Sequence, residues 1–89
     1  MKYGIYSIRD SASGVFTAPT IDLTNESAIR SFSQAVNNAS TMMNFKPSDF
    51  SLYLIGTIDV EDGSIDPEIP PTMLASGDRL VKVVIENED

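Results

Sequence analysis

Asp49-Phe50-Ser51-Leu52-Tyr53-Leu54-Ile55-Gly56-Thr57-Ile58-Asp59 is the stretch whose reading decides the fold. In an extended chain Phe50, Leu52, Leu54 and Ile58 fall on one face, and Tyr53 and Ile55 on the other. A run that is apolar on both faces suits a strand enclosed within a sheet better than one facing water. Pro47-Ser48-Asp49 supplies a turn before it and Glu61-Asp62-Gly63-Ser64 a turn after it. The stretch reads as the central strand.

Working outward toward the N-terminus, Lys2 to Arg9 is rich in aromatic and β-branched residues and predicts a first strand. Asp10-Ser11-Ala12-Ser13-Gly14 is a turn, with Gly14 free to take positive φ. Val15 to Ala18 returns as a second strand, which Pro19 ends or confines to an edge. Between this hairpin and the central strand lies an amphipathic helix. Asn25 or Thr24 is its N-cap, and Glu26 sits where the helix dipole favours an acid. Ala28, Ile29, Phe32, Ala35 and Val36 form its apolar stripe, and Asn37-Asn38 its stop.

Met42, Met43 and Phe45 predict a short helical turn folded over the core. Beyond the central strand, Gly63 suits the left-handed position of a turn. Ser64-Ile65-Asp66 begins a fourth strand that Pro67 interrupts, and Pro70-Pro71 is a break. Thr72 to Ala75 reads as one helical turn closed by Gly77. Leu80 to Glu86 alternates as a last strand, and residues 86–89 read as a frayed, solvated end. The expectation is a single α+β domain over residues 1–89 in the order β-β-α-β-β-β. Its small antiparallel or mixed sheet has four to five strands, with one helix packed on one face.

With 89 residues the chain buries roughly 60–65% of its unfolded surface, so its core is modest and a second copy is a natural helper. A composition of 42% hydrophobic and 21% charged residues is that of a globular domain. Cysteine and histidine are both absent, which removes disulfides, thiolate nucleophiles and the imidazole of most metal and general-base sites. No apolar run is long enough to span a bilayer, and the start of the chain reads as a strand rather than a signal segment. The reading is of a soluble intracellular protein.

Asp59, Glu61, Asp62, Asp66 and Glu68 crowd one segment without a cation. They fail the calcium-loop pattern: with Gly63 as its glycine, Ile58 and Val60 would occupy the first and third ligand positions. A solvated turn that discourages edge-to-edge pairing accounts for them. Serines are many but have no base to activate them. No enzyme, cofactor or metal is expected. The net charge of −7 also opposes non-specific nucleic-acid binding, unless the six cations gather on one face.

Aromatic faces with neighbouring cations are what single-stranded nucleic acid requires. Strand one carries Lys2, Tyr3, Tyr6 and Arg9, strand two carries Phe16, Lys46 precedes the central strand, and Tyr53 lies within it. Taken one at a time, each aromatic reads as core with any hydroxyl at a rim. Tyr3 and Arg9 share one face, whereas Lys2 and Tyr6 share the other.

Tyr6-Ser7-Ile8-Arg9-Asp10, Ala28-Ile29-Arg30-Ser31-Phe32 with Ala35-Val36-Asn37, and Pro47 through Gly56, followed by Asp59, Gly63 and Ile65, carry a family resemblance. Over about residues 3–66 the chain resembles the small nonstructural protein of gokushoviruses, microviruses of bacteria with circular single-stranded DNA genomes. Asp49-Phe50-Ser51-Leu52-Tyr53, with Ile55-Gly56, is its most specific part. The resemblance implies a non-capsid, DNA-binding protein made in the cytoplasm of the infected cell. By analogy of genome role, it implies a part in the switch from replication to packaging. The expected site is Lys2, Tyr3, Arg9, Phe16, Lys46 and Tyr53, binding single-stranded DNA in a homodimer. The competing expectation is an acidic module that engages a phage or host replication or packaging protein through Asp59 to Glu68, without DNA.

Overall fold

The computed structural model describes residues 1–81. In chain order they form β1 (Lys2–Asp10), β2 (Val15–Phe16), β3 (Thr20–Asp22), α1 (Asn25–Val36), α2 (Met42–Phe45), β4 (Phe50–Asp59) and β5 (Ile65–Ser76). Two 3-10 turns, Pro47–Asp49 and Gly77–Arg79, bracket the last two strands. The strands make one antiparallel sheet ordered β2-β1-β4-β5, with β3 also on β1. The fold is α+β, as the residue pattern predicts.

The Asp49–Asp59 stretch is enclosed between β1 and β5, which explains apolar residues on both of its faces. One detail differs from simple alternation. Ile5 pairs with Gly56 but Tyr6 pairs with Leu54, so Ile55 is an extra residue in β4. Such a bulge inverts the side-chain order beyond it. Phe50, Leu52 and Leu54 therefore face the helix, whereas Ile58 falls on the opposite side with Tyr53, not with the leucines.

The edges depart furthest from the expectations. The second strand is shorter than Val15–Ala18, because Thr17 leaves the ladder while substituting for it. Its N–H donates to the Ile8 carbonyl (2.8 Å), its carbonyl accepts from Ser7 Oγ (2.7 Å), and its Oγ1 accepts from the Ile8 N–H (3.1 Å). Past Pro19 the chain rejoins the same edge as β3, a strand the sequence pattern does not signal. Thr72–Ala75 is strand, not a helical turn: Thr72 pairs with Leu54, Met73 with Tyr53 and Ala75 with Leu52. Pro67, Pro70 and Pro71 do not end β5, because it has a partner on one side only among the described residues. Residues 68–71 are instead accommodated opposite Ile55, and Gly56 lets β5 approach; a Cβ there would stand 2.8 Å from the Asp66 carbonyl. The strand expected over Leu80–Glu86 lies outside the described residues from position 82 onward.

Gly14 and Gly63 take the positive φ that their turns require (79° and 77°). Thr24 caps α1, its Oγ1 accepting from the Ser27 N–H at 3.0 Å. At the other end, side chains donate to last-turn carbonyls: Asn37 Nδ2 to Ser33, Thr41 Oγ1 to Ala35 and Asn44 Nδ2 to Val36, and Asn37 Nδ2 also donates to the distant Leu80 carbonyl. Ala28, Phe32 and Val36, four residues apart, seat the helix on Tyr6 and Leu52 to form the buried core. α2 covers this core only through Met43. Met42 and Phe45, expected to pack there as well, are exposed, because so short a helix turns one side inward.

Tyr6 links sheet and helix. Its ring lies where a Cβ at Gly4 would stand, and its hydroxyl donates to Asn25 Oδ1 at 2.7 Å. Burial, then the charges of Asp22 and Glu26, push its phenol above the usual tyrosine range. A folded value above the unfolded one stabilises the fold at lower pH, and that contribution is lost as pH rises through the raised value. Alkaline unfolding followed by circular dichroism should therefore begin above about pH 10. Tyr6→Phe should move its midpoint upward, while the lost hydrogen bond costs about 1 kcal/mol at neutral pH.

Candidate nucleic-acid interface

Strand register sets out, row by row, the sheet face turned away from α1. Arg9 aligns with Phe16 on one side and Ser51 on the other, and Ser51 aligns with Ser76. One row further along, Ser7 aligns with Tyr53, and Tyr53 with Met73. The next row holds Ile21, Ile5, Gly56 and Pro67, and the last Tyr3, Ile58 and Ile65. Directly opposed residues share a face, and alternate positions return to it.

Four of the six residues predicted for the site, Tyr3, Arg9, Phe16 and Tyr53, are thus brought onto this face. Phe16 and Tyr53 meet across β1 edge to face, with ring centroids 5.4 Å apart and planes at 78°. That geometry suits the aromatic quadrupole and holds both rings in one arrangement. Phe16 is 42% exposed, and the small Ser7, Ser51 and Ser76 do not overshadow the rings.

Lys2 and Lys46 are placed elsewhere. Lys2 aligns with Asp59 on the alternate parity, and its Nζ lies 3.5 Å from Asp66 Oδ2. Lys46 precedes the Pro47–Asp49 turn, beyond the end of the sheet. That turn packs against Gly77–Arg79, where a Cβ on Gly77 would collide with the Pro47 carbonyl. Arg9, Lys46 and Arg79 consequently lie toward one end of the sheet, together with Asp10, Asp49 and Asp78. Arg30 lies on the exposed side of α1.

The acidic segment occupies the opposite end, and much of it is turn chemistry. Asp59 Oδ1 accepts from the Glu61 N–H, and Asp62 Oδ1 from the Ser64 N–H. The hydrogen bonds from Ser64 hold the Asp62 carboxyl below its ordinary value. The terminal ammonium of Met1 lies 3.8 Å from Asp59 and 3.6 Å from Glu61. These carboxylates therefore close the β4–β5 hairpin and anchor the start of β1.

The match to the family model described as Phage ORF5 protein spans residues 3–80. The chain belongs to this phage protein family. The Phage ORF5 match covers the described sheet from Tyr3 onward and all of α1, including both the aromatic platform and the acidic hairpin. It reaches past residue 66, where the residue-level resemblance stops, to take in all of β5. No curated protein and no solved structure matches the chain. Among the described residues, no helix is long and apolar enough to cross a membrane.

The face also holds residues that single-residue reasoning does not single out: Ser7, Ser51, Met73 and Ser76. Alternation about Tyr53 is enough to find Ser51. Met73 and Ser76 become visible only once the hairpin register is known.

Proposed function

We propose that this phage protein is a nonstructural factor of gokushovirus type that binds single-stranded DNA on its open sheet face, in the cytoplasm of the infected bacterium. The observation that carries the reading is the fixed Phe16–Tyr53 ring pair beside Arg9, on the sheet face turned away from α1. Bases stack on such rings whatever their identity, and because the rings already hold each other, little side-chain freedom is lost on binding. By analogy of genome role, a protein that holds exposed single strands shifts synthesis from replication toward packaging.

The net charge of −7 sets the character of the binding. Among the described residues, Arg9 stands on the platform with Lys46 and Arg79 toward the same end, and these three offer about one to three phosphate contacts. For single strands the salt exponent is then roughly −0.7 to −2, so affinity falls only about three- to twentyfold between 50 and 200 mM salt. Anisotropy titration of a labelled oligothymidylate measures this directly. Binding with a shallow salt slope is expected; absence of binding at 50 mM salt would overturn the reading.

A further inference from the structure

The aromatic platform is electrically lopsided. In the row next to Tyr53 and Met73, Arg9 on β1 is followed by Ser51 on β4 and Ser76 on β5. The Ser76 hydroxyl donates to Asp78 Oδ1 at 2.5 Å, which brings that carboxylate to the far end of the row. The turn holds Asp78 there. Gly77 is buried where a Cβ would meet the Pro47 and Phe50 carbonyls, and the Leu80 N–H donates to the Gly77 carbonyl at 3.1 Å. One end of the row therefore only donates hydrogen bonds and the other only accepts them. A guanidinium has no lone pair to offer, and a Ser76 hydroxyl committed to Asp78 has nothing else.

We propose that Asp78 is the base-selecting residue of the platform: with Ser76 it accepts the amino group of a stacked base, so that cytosine-rich single strands are bound in preference to thymine-rich ones. The inference rests on the DNA reading and adds to it a choice that ring stacking does not make. Arg9 and Ser76 stand two strand spacings apart, roughly 9–10 Å. That span is comparable with the distance from the phosphate of a nucleotide to the pairing edge of its own base. A strand that sets a phosphate on Arg9 and stacks the base against Tyr53 and Met73 turns that edge toward the carboxylate. Cytosine presents its N4 amino group there, a donor that carboxylates accept, whereas thymine presents O4, an acceptor facing an acceptor. Asp78 is exposed and gives up water to either base, but only cytosine returns a hydrogen bond.

Fluorescence anisotropy of the full chain with two labelled oligonucleotides of equal length, one all deoxycytidine and one all thymidine, tests this in neutral buffer. The two pyrimidines match in ring size, so stacking is shared and the ratio of the Kd values reads the base edge. The wild type should bind the cytidine strand at least about fivefold tighter. Asp78→Asn should bring the two affinities together, since an amide can donate to thymine O4. Loss of the negative charge should also tighten both strands alike, which leaves the ratio unmoved. The position is exposed, so circular dichroism should not change. Equal binding of the two strands by the wild type, or a preference that Asp78→Asn leaves intact, would overturn the proposal and leave the DNA reading in place. Binding of neither strand would remove both.

Discussion

Replacing Phe32 with alanine is expected to remove roughly 3–5 kcal/mol of folding free energy, the range for deleting a buried phenylalanine ring. Phe32 is 2% exposed and stands at the middle of the α1 stripe, between Ala28 and Val36 and against Tyr6 and Leu52. The resulting cavity has little means of collapsing. The sheet below is hydrogen-bonded on both sides of β1 and β4, and α1 is held at its ends by Thr24, Asn37, Thr41 and Asn44. Natural domains hold roughly 5–15 kcal/mol in total, and a short chain has a small core from which to draw it. Phe32→Ala should therefore lie close to unfolded at room temperature. Urea titration by circular dichroism reads this as a large fall in midpoint; a shift worth less than about 1 kcal/mol would mean that the helix–sheet contact is not the core.

The second large effect concerns the platform. Phe16→Ala and Tyr53→Ala should each weaken oligothymidylate binding by about 1–3 kcal/mol, the measured range for a base–aromatic stack. That corresponds to roughly 5- to 150-fold in Kd. Because the two rings touch, the double variant should lose less than the sum of the single losses. Phe16 is partly exposed on a two-residue strand, so its removal should leave the urea midpoint nearly unchanged. Arg30→Ala, on the outer side of α1, should leave affinity within about twofold, as expected of a distant exposed charge.

How much of this is legible in the residues differs from element to element. The central strand, the first hairpin, α1 with its cap, and the two positive-φ glycines follow from local signals, because each depends on neighbours within a few positions. The course of β5 does not. Pro67, Pro70 and Pro71 look like punctuation until Gly56 and the β4 ladder provide an edge on which prolines cost little. Thr72–Ala75 then becomes strand through pairing to Leu52–Leu54, which no local preference encodes. β3 is hidden in the same way, since Thr17 carries the ladder past Pro19 with its own hydroxyl. The bulge at Ile55 is a third non-local feature, and it moves Ile58 from the helix side to the open face.

The site shows the same division. Tyr3 and Arg9 share a face by simple alternation, and that much follows from sequence. Phe16 and Tyr53 join them through register alone. Lys2 falls on the other parity, where Asp66 engages it, and Lys46 lies beyond the sheet. The family match over residues 3–80 establishes a phage protein; which surface acts is read from the sheet.

The most direct measurement of the central claim is a nuclear magnetic resonance titration of the folded chain with an oligothymidylate. The account predicts that the perturbed resonances cluster on the open face about Arg9, Phe16, Ser51, Tyr53 and Met73, while the outer side of α1 around Arg30 and Gln34 stays unchanged. Perturbations centred on α1 or on the Asp59–Asp66 hairpin, or none at saturating oligonucleotide, would contradict it.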